Sequence, residues 1–304
     1  MKTCSSKLRN LAFTLRFVLT HPLNRDRKWP AICRYLGWQI GSRLVSGSVA
    51  VPFVGNTRLL VDKGMTGATG NIYTGLHEFE DMAFLLHLLR KEDLFVDIGA
   101  NVGSYTVLAA GAVGAECISI EPVPSTFAHL VDNIHLNHIN ENVSLHNIGV
   151  GRETTRLRFS AACGPGNHVI TEGETETEWV EVQVRRLDDV VGEGRPVLIK
   201  IDVEGFETEV LAGAENVLRN ESLLAVIMEL NGSGKRYGCD DETIHQSMLA
   251  LGFKPFSYSP FQRELIETRS NAKHSDNVIY GRNPEEAIHR AKTAPQYAVL
   301  EQNV

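Results

Sequence analysis

The sequence predicts an α/β fold with a central, mostly parallel sheet and helices on both of its faces. From Leu94 onward, short apolar runs alternate with helical patterns, and this alternation implies parallel strands joined by helical crossovers. The chain has 304 residues, of which 43% are hydrophobic and 22% are charged, so it can bury a substantial core.

Each predicted strand is a short apolar segment, and the predicted helices lie between these segments. The strands are LFVDIG, ECISIEP, VSLHNIGV, PVLIKIDV and LLAVIMEL, and the helices lie near residues 104–112, 124–138 and 206–219, after an earlier helix that begins around Glu78. 

Two later regions depart from this alternation. TRLRFS and EVQVRRLDDV alternate apolar and polar residues around the polar loop GPGNHVITEGETETE, which predicts an antiparallel β-hairpin inserted near residues 151–190. Further along, FKPFSYSP and DNVIYGR predict antiparallel C-terminal strands. Residues 284–304 are predicted to be a polar tail that forms a short helix or no regular structure.

The first 60 residues are predicted to form a basic helical arm in front of a main domain over residues 61–283. Residues 1–45 hold nine Lys or Arg and one acid, Asp26, which gives +8 against −15 for the remainder. Such an arm can dock on an anionic surface, either a membrane face or the acidic body itself. The apolar residues from Leu8 to Leu19 fall on one helix face, which favours a packed amphipathic helix over weak peripheral membrane contact.

Composition argues against several other classes of protein. The net charge of −7 argues against nucleic acid as a partner, and no apolar run approaches the roughly 20 residues of a membrane span. Arg16 interrupts the apolar run that a signal peptide needs. The five cysteines form no C-x-x-C pair, so neither a disulfide framework nor a zinc site is indicated, and the predicted location is the cytoplasm.

The segment LFVDIGANVG predicts a nucleotide pocket at the end of the first strand. Asp97 ends the strand, and the loop from Gly99 through Ala100 and Asn101 to Gly103 allows close backbone approach before a helix offers its free amides. The loop lacks the middle glycine of G-x-G-x-x-G, and a carboxylate before the turn would repel a pyrophosphate. That carboxylate instead suits the sulfonium and ammonium groups of S-adenosylmethionine (SAM).

Glu121 supplies the second half of this predicted pocket. It ends the second strand, 18 residues after Gly103, where an acid can accept hydrogen bonds from both ribose hydroxyls. Either element alone would be explained as well by a tight strand-to-helix turn or by a surface acid. Together they predict binding of SAM.

With these motifs, the sequence resembles the FkbM family of SAM-dependent methyltransferases over roughly Gly64 to Tyr280. The resemblance is carried by VDIGANVGSYT, IEPVPSTFAHLVDNIHLN, IKIDVEGFETEVLAGAENVL, LLAVIMEL and the late NVIY. It implies a Rossmann-like methyltransferase fold over residues 61–283 with SAM as cofactor. It also implies O-methylation of hydroxyl groups on sugars, polyketides and related small molecules.

The segment VLIKIDVEGFE predicts where the acceptor chemistry lies. Lys200, Asp202 and Glu204 alternate along one strand face, and charged groups at the exit of a buried strand are costly unless they are paired or functional. Asp202 is the predicted general base or acceptor-orienting carboxylate, Glu204 is its rival, and Lys200 stays protonated and positions them. A structural ion cluster is the alternative. A Mg²⁺ site formed with Glu229 is less favoured, and no metal is predicted.

Four further residues are candidates by position. His168, in the polar loop GPGNHVI, is a second candidate base with an accessible imidazole. The glycine-rich segment GMTGATGNIYTGLHEFE forms either a lid whose Asn71 and Tyr73 contact the cofactor or acceptor, or a packed connector. Asn147, at the end of the third strand, is placed near the adenine.

The leading hypothesis is therefore a SAM-dependent O-methyltransferase that acts on a small-molecule or glycan hydroxyl, with its oligomeric state left open. A nicotinamide-dependent oxidoreductase or epimerase is the second hypothesis, against which the missing glycine, Asp97 and the lack of a Tyr-x-x-x-Lys pair all argue. A non-catalytic SAM-binding protein is the third.

Overall fold

The computed structural model describes residues 2–161, 166–171, 173–175, 178–268 and 277–304. The helices are α1 (Lys2–Thr20), α2 (Lys28–Leu44), α3 (Thr66–Thr74), α4 (Phe79–Leu88), α5 (Ser104–Thr106, continued by a π-helical turn over Val107–Val113), α6 (Pro124–Leu136), α7 (Leu187–Val191), α8 (Glu207–Ala212), α9 (Glu215–Arg219), α10 (Asp241–Ala250) and α11 (Pro284–Thr293). The strands are β1 (Val49–Pro52), β2 (Arg58–Val61), β3 (Leu94–Ile98), β4 (Glu116–Ile120), β5 (Val143–His146), β6 (Gly149–Val150), β7 (Thr155–Ser160), β8 (Trp179–Arg185), β9 (Pro196–Ile201), β10 (Ala225–Glu229), β11 (Lys254–Ser259), β12 (Glu264–Glu267), β13 (Asn277–Gly281), β14 (Ala298–Val299) and β15 (Gln302–Asn303).

The main sheet has eight strands in the order β12-β11-β13-β10-β9-β3-β4-β5. The five strands from β5 to β10 in this order are parallel, whereas β13, β11 and β12 pair antiparallel at the other edge. In chain order, the first strand of this sheet is β3. The next two, β4 and β5, lie on one side of it, and β9 and β10 then lie on the other side. Open α/β sheets bind ligands at such a switch point, beyond the carboxyl ends of the strands.

Both faces of the sheet are covered, as the sequence predicted. On β3, Phe95 faces a core shared with α4, the π-helical turn and α6, while Val96 and Ile98 face a second core with α8, α9 and α10. Successive strand residues point to opposite faces, so both sets of side chains are buried. The chain therefore has the Rossmann-like α/β architecture.

One row of side chains breaks this apolar pattern. Asp97 is the register partner of Ser119 on β4 and of Lys200 on β9. Paired residues on neighbouring strands point to the same face, so an acid, a hydroxyl and an amine lie side by side on the Phe95 side of the sheet. This polar row begins the candidate site.

The predicted hairpin is present, but the preceding strand is not continuous. β7 and β8 pair antiparallel, and β6 joins β8 in a separate three-stranded sheet. The prediction of one strand over VSLHNIGV is wrong, because β5 ends at His146 in the main sheet and β6 begins at Gly149 in the small one. Between them, the Asn147 side chain donates to the carbonyls of Glu121 and Pro122 and anchors the crossing. Part of the predicted hairpin loop lies outside the described residues.

The predicted helix over residues 206–219 is likewise divided, into α8 and α9. Gly213 lies at the break, where a Cβ would come within 2.0 Å of the Gly151 carbonyl oxygen. The helix end thus approaches the small-sheet segment too closely for any side chain, and a straight helix would not fit.

The C-terminal strands pair antiparallel as predicted, and β12 adds a further strand that the sequence analysis did not identify. Residues 284–304 form α11 and the β14–β15 pair. Ala287, Ala291 and Val299 from this segment are buried in the core that also contains α4. The segment therefore contributes to the packing of the main domain.

The N-terminal helices pack on the body through a small apolar cluster. Val18, Ala31 and Tyr35 surround Tyr73 of α3, and the Arg34 guanidinium donates to the Tyr73 carbonyl and to the Asn24 side chain. Within the part of the chain that the structure describes, no helix combines the length and the hydropathy needed to cross a membrane.

Candidate active site

A cavity of about 920 Å³ opens beyond the carboxyl ends of β3, β4 and β9. The loop after β3, the ends of β4 and β9, α3, and the inner faces of α1 and α2 line it. Of the sequence-predicted site residues, those in the lining are Asp97, Gly99, Ala100, Asn101, Glu121, Lys200, Asp202, Glu204 and Tyr73. Gly103, Asn147 and His168 lie outside this lining.

The loop after β3 is held against both neighbouring strands. The amides of Gly99 and Ala100 both donate to the Ile120 carbonyl at the end of β4. Gly99 has a φ of +79°, and a Cβ there would come within 1.8 Å of the Asp202 carbonyl oxygen. Only glycine fits this approach, so the loop that borders one part of the cavity is packed directly on the strand end that carries Asp202.

Gly103 serves the loop in a different way. Its φ is +89°, and a Cβ there would come within 2.5 Å of Leu130 on α6. The residue therefore closes the turn and admits close packing of α6, while its neighbours border the cavity.

Asp97 is almost fully buried beneath the loop, at 1% exposure. Its Oδ2 accepts a hydrogen bond from the Thr106 hydroxyl at 2.7 Å. Burial raises the pKa of Asp97 to about 6, in spite of the lowering effects of Lys200 and the Thr106 bond. A buried carboxylate that borders a cavity is an anionic site that a cationic ligand would complete.

Glu121 organises the same loop from the end of β4. Its Oε2 accepts from the Asn101 amide and its Oε1 from the Val123 amide, each at 3.0 Å. Burial raises the pKa of Glu121 to about 7. Each carboxylate oxygen retains capacity for a second hydrogen bond, which is the capacity that a pair of ribose hydroxyls requires.

Lys200 and Asp202 form the central ion pair of the site. The Lys200 ammonium donates to Asp202 Oδ2 at 2.5 Å and lies 4.7 Å above the centre of the Tyr105 ring. Burial alone lowers the pKa of Lys200, but the carboxylates of Asp202, Glu78 and Asp97 raise it above its ordinary value. Lys200 is therefore held as a cation beside these carboxylates.

Two further acids lie beside Asp202. Burial and the charges of Asp202 and Glu204 raise the pKa of Glu229 to about 9, and burial and Asp202 raise that of Glu204. Within the described residues, Glu229 Oε2 is buried and has no hydrogen-bond partner. At neutral pH Glu229 therefore keeps its proton, and the Lys200 ammonium is paired with Asp202.

The same three acids have the spacing of a metal site. Asp202, Glu204 and Glu229 each place a carboxylate oxygen within 4.8 Å of the others, a spacing that a metal ion could bridge. The Lys200 ammonium already holds Asp202 Oδ2, so a divalent cation would have to compete with it for that carboxylate. The arrangement fits proton sharing among carboxylates better.

The sequence analysis missed a second acidic pair on the other side of Lys200. The Tyr105 hydroxyl donates to Glu78 Oε2 at 2.7 Å, and the Asn277 side chain donates to Glu78 and to Asp81. Burial and Glu78 raise the pKa of Asp81 to about 7. Asn277 begins the NVIY segment, so the motif itself was the available signal, but nothing in its spacing indicated contact with α4.

The prediction of an accessible imidazole at His168 is wrong. His168 is 6% exposed, its amide donates to the Ser160 hydroxyl, and its Nδ1 lies 2.9 Å from the Gly166 carbonyl oxygen. The adjoining Gly164 and Pro165 of the predicted loop lie outside the described residues. Val169, which follows His168, forms a β-bridge with Phe159 of β7 and holds the His168 segment against that strand, so the ring is buried.

The glycine-rich segment before α4 is helical rather than a loop. It forms α3, and Gly75 ends this helix with a φ of +83°. Asn71 donates to the Ser104 hydroxyl at 3.3 Å and accepts from the His77 amide, which ties α3 to the start of α5. Tyr73 is buried with its hydroxyl accepting from Gln39 of α2, so it connects the arm to the cavity wall.

The residues present fit SAM at the predicted end of the cavity. The Gly99 backbone leaves no room for a Cβ, Asp97 supplies a buried carboxylate whose pKa stays raised even beside Lys200, and Glu121 offers acceptors at the next strand end. Asn147, predicted near the adenine, instead positions the backbone after β4 on which Glu121 lies.

A comparison with protein families and known proteins agrees with this geometry. The family model described as the methyltransferase FkbM domain matches residues 97–255, more than half of the chain. The chain is similar to Methyltransferase 1 of Beauveria bassiana, with 32% identity over 45% of this chain and 65% of the relative. It is also similar to the hexuronic acid methyltransferase AglP of Haloferax volcanii, with 29% identity over 51% of this chain and 62% of the relative. The chain thus spans slightly less than two thirds of these relatives.

Two solved structures show a more distant likeness. P. horikoshii TYW2 in complex with MeSAdo aligns with 16% identity and a TM-score of 0.42 over 86% of this chain and 84% of its own. M. jannaschii TYW2 in complex with AdoMet aligns with 13% identity and a TM-score of 0.41 over 78% of this chain and 88% of its own. The fold assignment above rests on strand order and the family match, not on these two structures.

Proposed function

The chain belongs to the methyltransferase FkbM domain family, and from this premise we propose that it transfers the methyl group of SAM to a hydroxyl oxygen. The observation that supports the proposal best is the close packing of the Gly99–Gly103 loop on the strand end that carries the Lys200–Asp202 pair. A Cβ on Gly99 would strike the Asp202 carbonyl oxygen. A cofactor on the loop would therefore lie beside the carboxylate that can receive the acceptor's proton.

In this proposal Asp97 binds the methionine part of the cofactor and Glu121 binds its ribose. Asp97 accepts hydrogen bonds from the ammonium of the cofactor's methionine part, and its buried charge is thereby balanced. Glu121 accepts from the ribose hydroxyls while its bonds to the Asn101 and Val123 amides hold it in place. The bound cofactor supplies an electrophilic methyl group whose carbon–sulfur bond breaks as a carbon–oxygen bond forms.

Asp202 is the proposed general base. Its Oδ2 is held by Lys200, so its Oδ1 is the oxygen that orients the acceptor hydroxyl and accepts its proton. Glu229 beside it carries its own proton; it can release that proton to Glu204, which is half-buried at the cavity wall, and then take up the proton that Asp202 received. Lys200 holds the Asp202 carboxylate in place through its hydrogen bond to Oδ2.

We further propose a sugar or glycan hydroxyl as the acceptor. The arm contributes the rings of Tyr35 and Trp38, together with Gln39 and Arg43, to the cavity wall. Apolar faces with a few convergent polar groups suit a hydroxylated ring, and an arginine suits the carboxylate of an acidic sugar. The similarity to a hexuronic acid methyltransferase favours the same class.

The experiment has two stages. Calorimetry should show binding of S-adenosylhomocysteine and none of NAD, and the reverse result would favour the oxidoreductase hypothesis. A screen of sugars and uronic acids with methyl-labelled SAM should then identify an acceptor whose methylation Asp202→Asn slows by about 10²–10⁴-fold in kcat with cofactor affinity unchanged. The matched variant Glu204→Gln should slow it far less, and equal losses for the two variants would remove Asp202 from the role of base.

A further inference from the structure

The outer face of α2 is an exposed apolar stripe. Trp29, Cys33, Leu36, Ile40 and Leu44 recur at intervals of four, three, four and four residues, which places them on one side of the helix. Trp29 is 73% exposed, Ile40 60% and Leu44 79%, so the stripe faces outward along the whole helix. We call these five residues the α2 stripe.

The stripe is not explained by packing within the chain. The opposite side of α2 carries the buried contacts, through Ala31 and Tyr35 in the cluster around Tyr73. Of the eleven large hydrophobic side chains that are exposed within the described residues, seven lie between Leu11 and Val45, and the other four are scattered singly. Single exposed apolar residues are ordinary, but a continuous row on one helix marks an interaction surface.

Basic residues precede the α2 stripe. They are Arg25, Arg27 and Lys28, and all three are exposed. Of these, only Arg27 forms an ion pair within the described residues, with Glu301. Asp26 is the single acid in residues 1–45, while the remainder of the chain carries −15. An apolar row with flanking cations and a tryptophan at one end complements an anionic lipid surface.

We propose that the α2 stripe docks this protein on an anionic membrane surface, with α2 lying in the plane of the headgroups. The apolar side chains enter the boundary between headgroups and acyl chains, and the flanking cations contact lipid phosphates. The stripe is the convex side of a single helix, which suits a lipid surface better than a groove-shaped protein partner. The inner side of the same helix lines the cavity through Trp38, Gln39 and Ser42, so docking brings the outer end of the cavity close to the lipid.

The test is co-sedimentation of the full chain with vesicles of phosphatidylcholine, with and without phosphatidylserine. The expected result is binding that requires phosphatidylserine, weakens as salt is raised, and falls at least about tenfold in Leu36→Glu/Ile40→Glu. Ile266→Glu is the matched control, since Ile266 is 53% exposed on β12, away from the arm, and it should bind like the wild type. Circular dichroism and S-adenosylhomocysteine affinity establish that each variant is folded.

A second measurement does not depend on the stripe variants. In a chain with Trp38→Phe and Trp179→Phe, Trp29 is the remaining tryptophan, and brominated lipids should quench its fluorescence if it enters the bilayer. The proposal is overturned if the wild type ignores phosphatidylserine vesicles, binds both compositions equally, or binds as well in the double variant as in the wild type. It is also overturned if light scattering shows a dimer that Leu36→Glu/Ile40→Glu converts to a monomer without any vesicle binding, since a second copy then covers the stripe.

Discussion

Replacing Asp97 with asparagine should stabilise the ligand-free protein and weaken its hold on the cofactor. Asp97 is 1% exposed, and burial raises its pKa from 3.8 to about 6. A shift of about two pKa units corresponds to about 3 kcal/mol of unfavourable free energy for the ionised folded state. The asparagine amide has the same shape, and its oxygen can accept the hydrogen bond from the Thr106 hydroxyl without placing a charge in the buried site.

The sign of the effect depends on pH. The folded pKa is raised, so the cost of ionising Asp97 is absent below about pH 4, grows between pH 4 and 6, and is fully present above pH 6. Asp97→Asn removes it, while Lys200 loses one of its three carboxylate neighbours. We therefore expect the ligand-free variant to be about 1–3 kcal/mol more stable than the wild type at pH 7.5, with the difference vanishing near pH 4.

Cofactor affinity should move in the opposite direction. A hydrogen bond between the ligand's ammonium and an ionised carboxylate contributes about 1.5–3 kcal/mol, so S-adenosylhomocysteine should bind about 10- to 150-fold more weakly to Asp97→Asn. Thermal unfolding from pH 4 to 8 and titration calorimetry measure the two quantities separately.

Asp93→Asn is the matched control, at the opposite end of β3. Asp93 Oδ2 accepts from Arg290 and from the Arg90 amide, each at 2.6 Å, outside the cavity. This variant should lose about 1–3 kcal/mol of stability and keep its affinity for S-adenosylhomocysteine. If Asp97→Asn instead unfolds more easily than the wild type at pH 7.5 and binds the ligand as tightly, Asp97 is a structural residue and its assignment to the cofactor is wrong.

Three further predictions concern the same cavity. Gly99→Ala should abolish calorimetric binding of S-adenosylhomocysteine, because its Cβ would lie 1.8 Å from the Asp202 carbonyl oxygen, and wild-type affinity would contradict the loop geometry. In the wild type, that affinity should fall as pH is lowered through about 7 and then 6, since Glu121 and Asp97 gain protons and lose acceptor capacity; a flat profile from pH 8 to 5 would refute this. Methyl transfer should survive treatment with EDTA, because Lys200 already holds Asp202, and loss of activity that Mg²⁺ restores would assign the acidic group to a metal.

Much of the fold could be predicted because it depends on local patterns. Apolar runs such as LFVDIG and PVLIKIDV can be buried on both faces only in a sheet covered by helices, and their alternation with helical segments implies parallel order. The failures occur where a distant contact decides the conformation. The strand over VSLHNIGV divides because Asn147 bonds to the backbone after β4, and the helix over residues 206–219 breaks because Gly213 meets Gly151.

The candidate site divides in the same way. Asp97 could be predicted from a carboxylate that directly precedes a glycine-rich turn, and Glu121 from its position at the end of the next strand. Both patterns lie within short segments of sequence. Glu78 and Asp81 gave no such signal, because an acid at the start of an amphipathic helix is ordinarily exposed and favoured there. Their position near Lys200, with Asp81 buried and Glu78 partly buried, depends on how α4 and β13 pack.

The sequence by itself determined the chemistry that is available: which strand ends carry charge, where the backbone must be glycine, and that the arm is basic. The tertiary structure alone decided the environment of those groups. Pairing of β3 with β9 places Asp97 in register with Lys200, and burial raises the pKa values of Asp97, Glu121 and Glu229. The physical reason is that a charge's cost depends on which distant groups exclude water from it, and that is set only when the sheet and its helices have assembled.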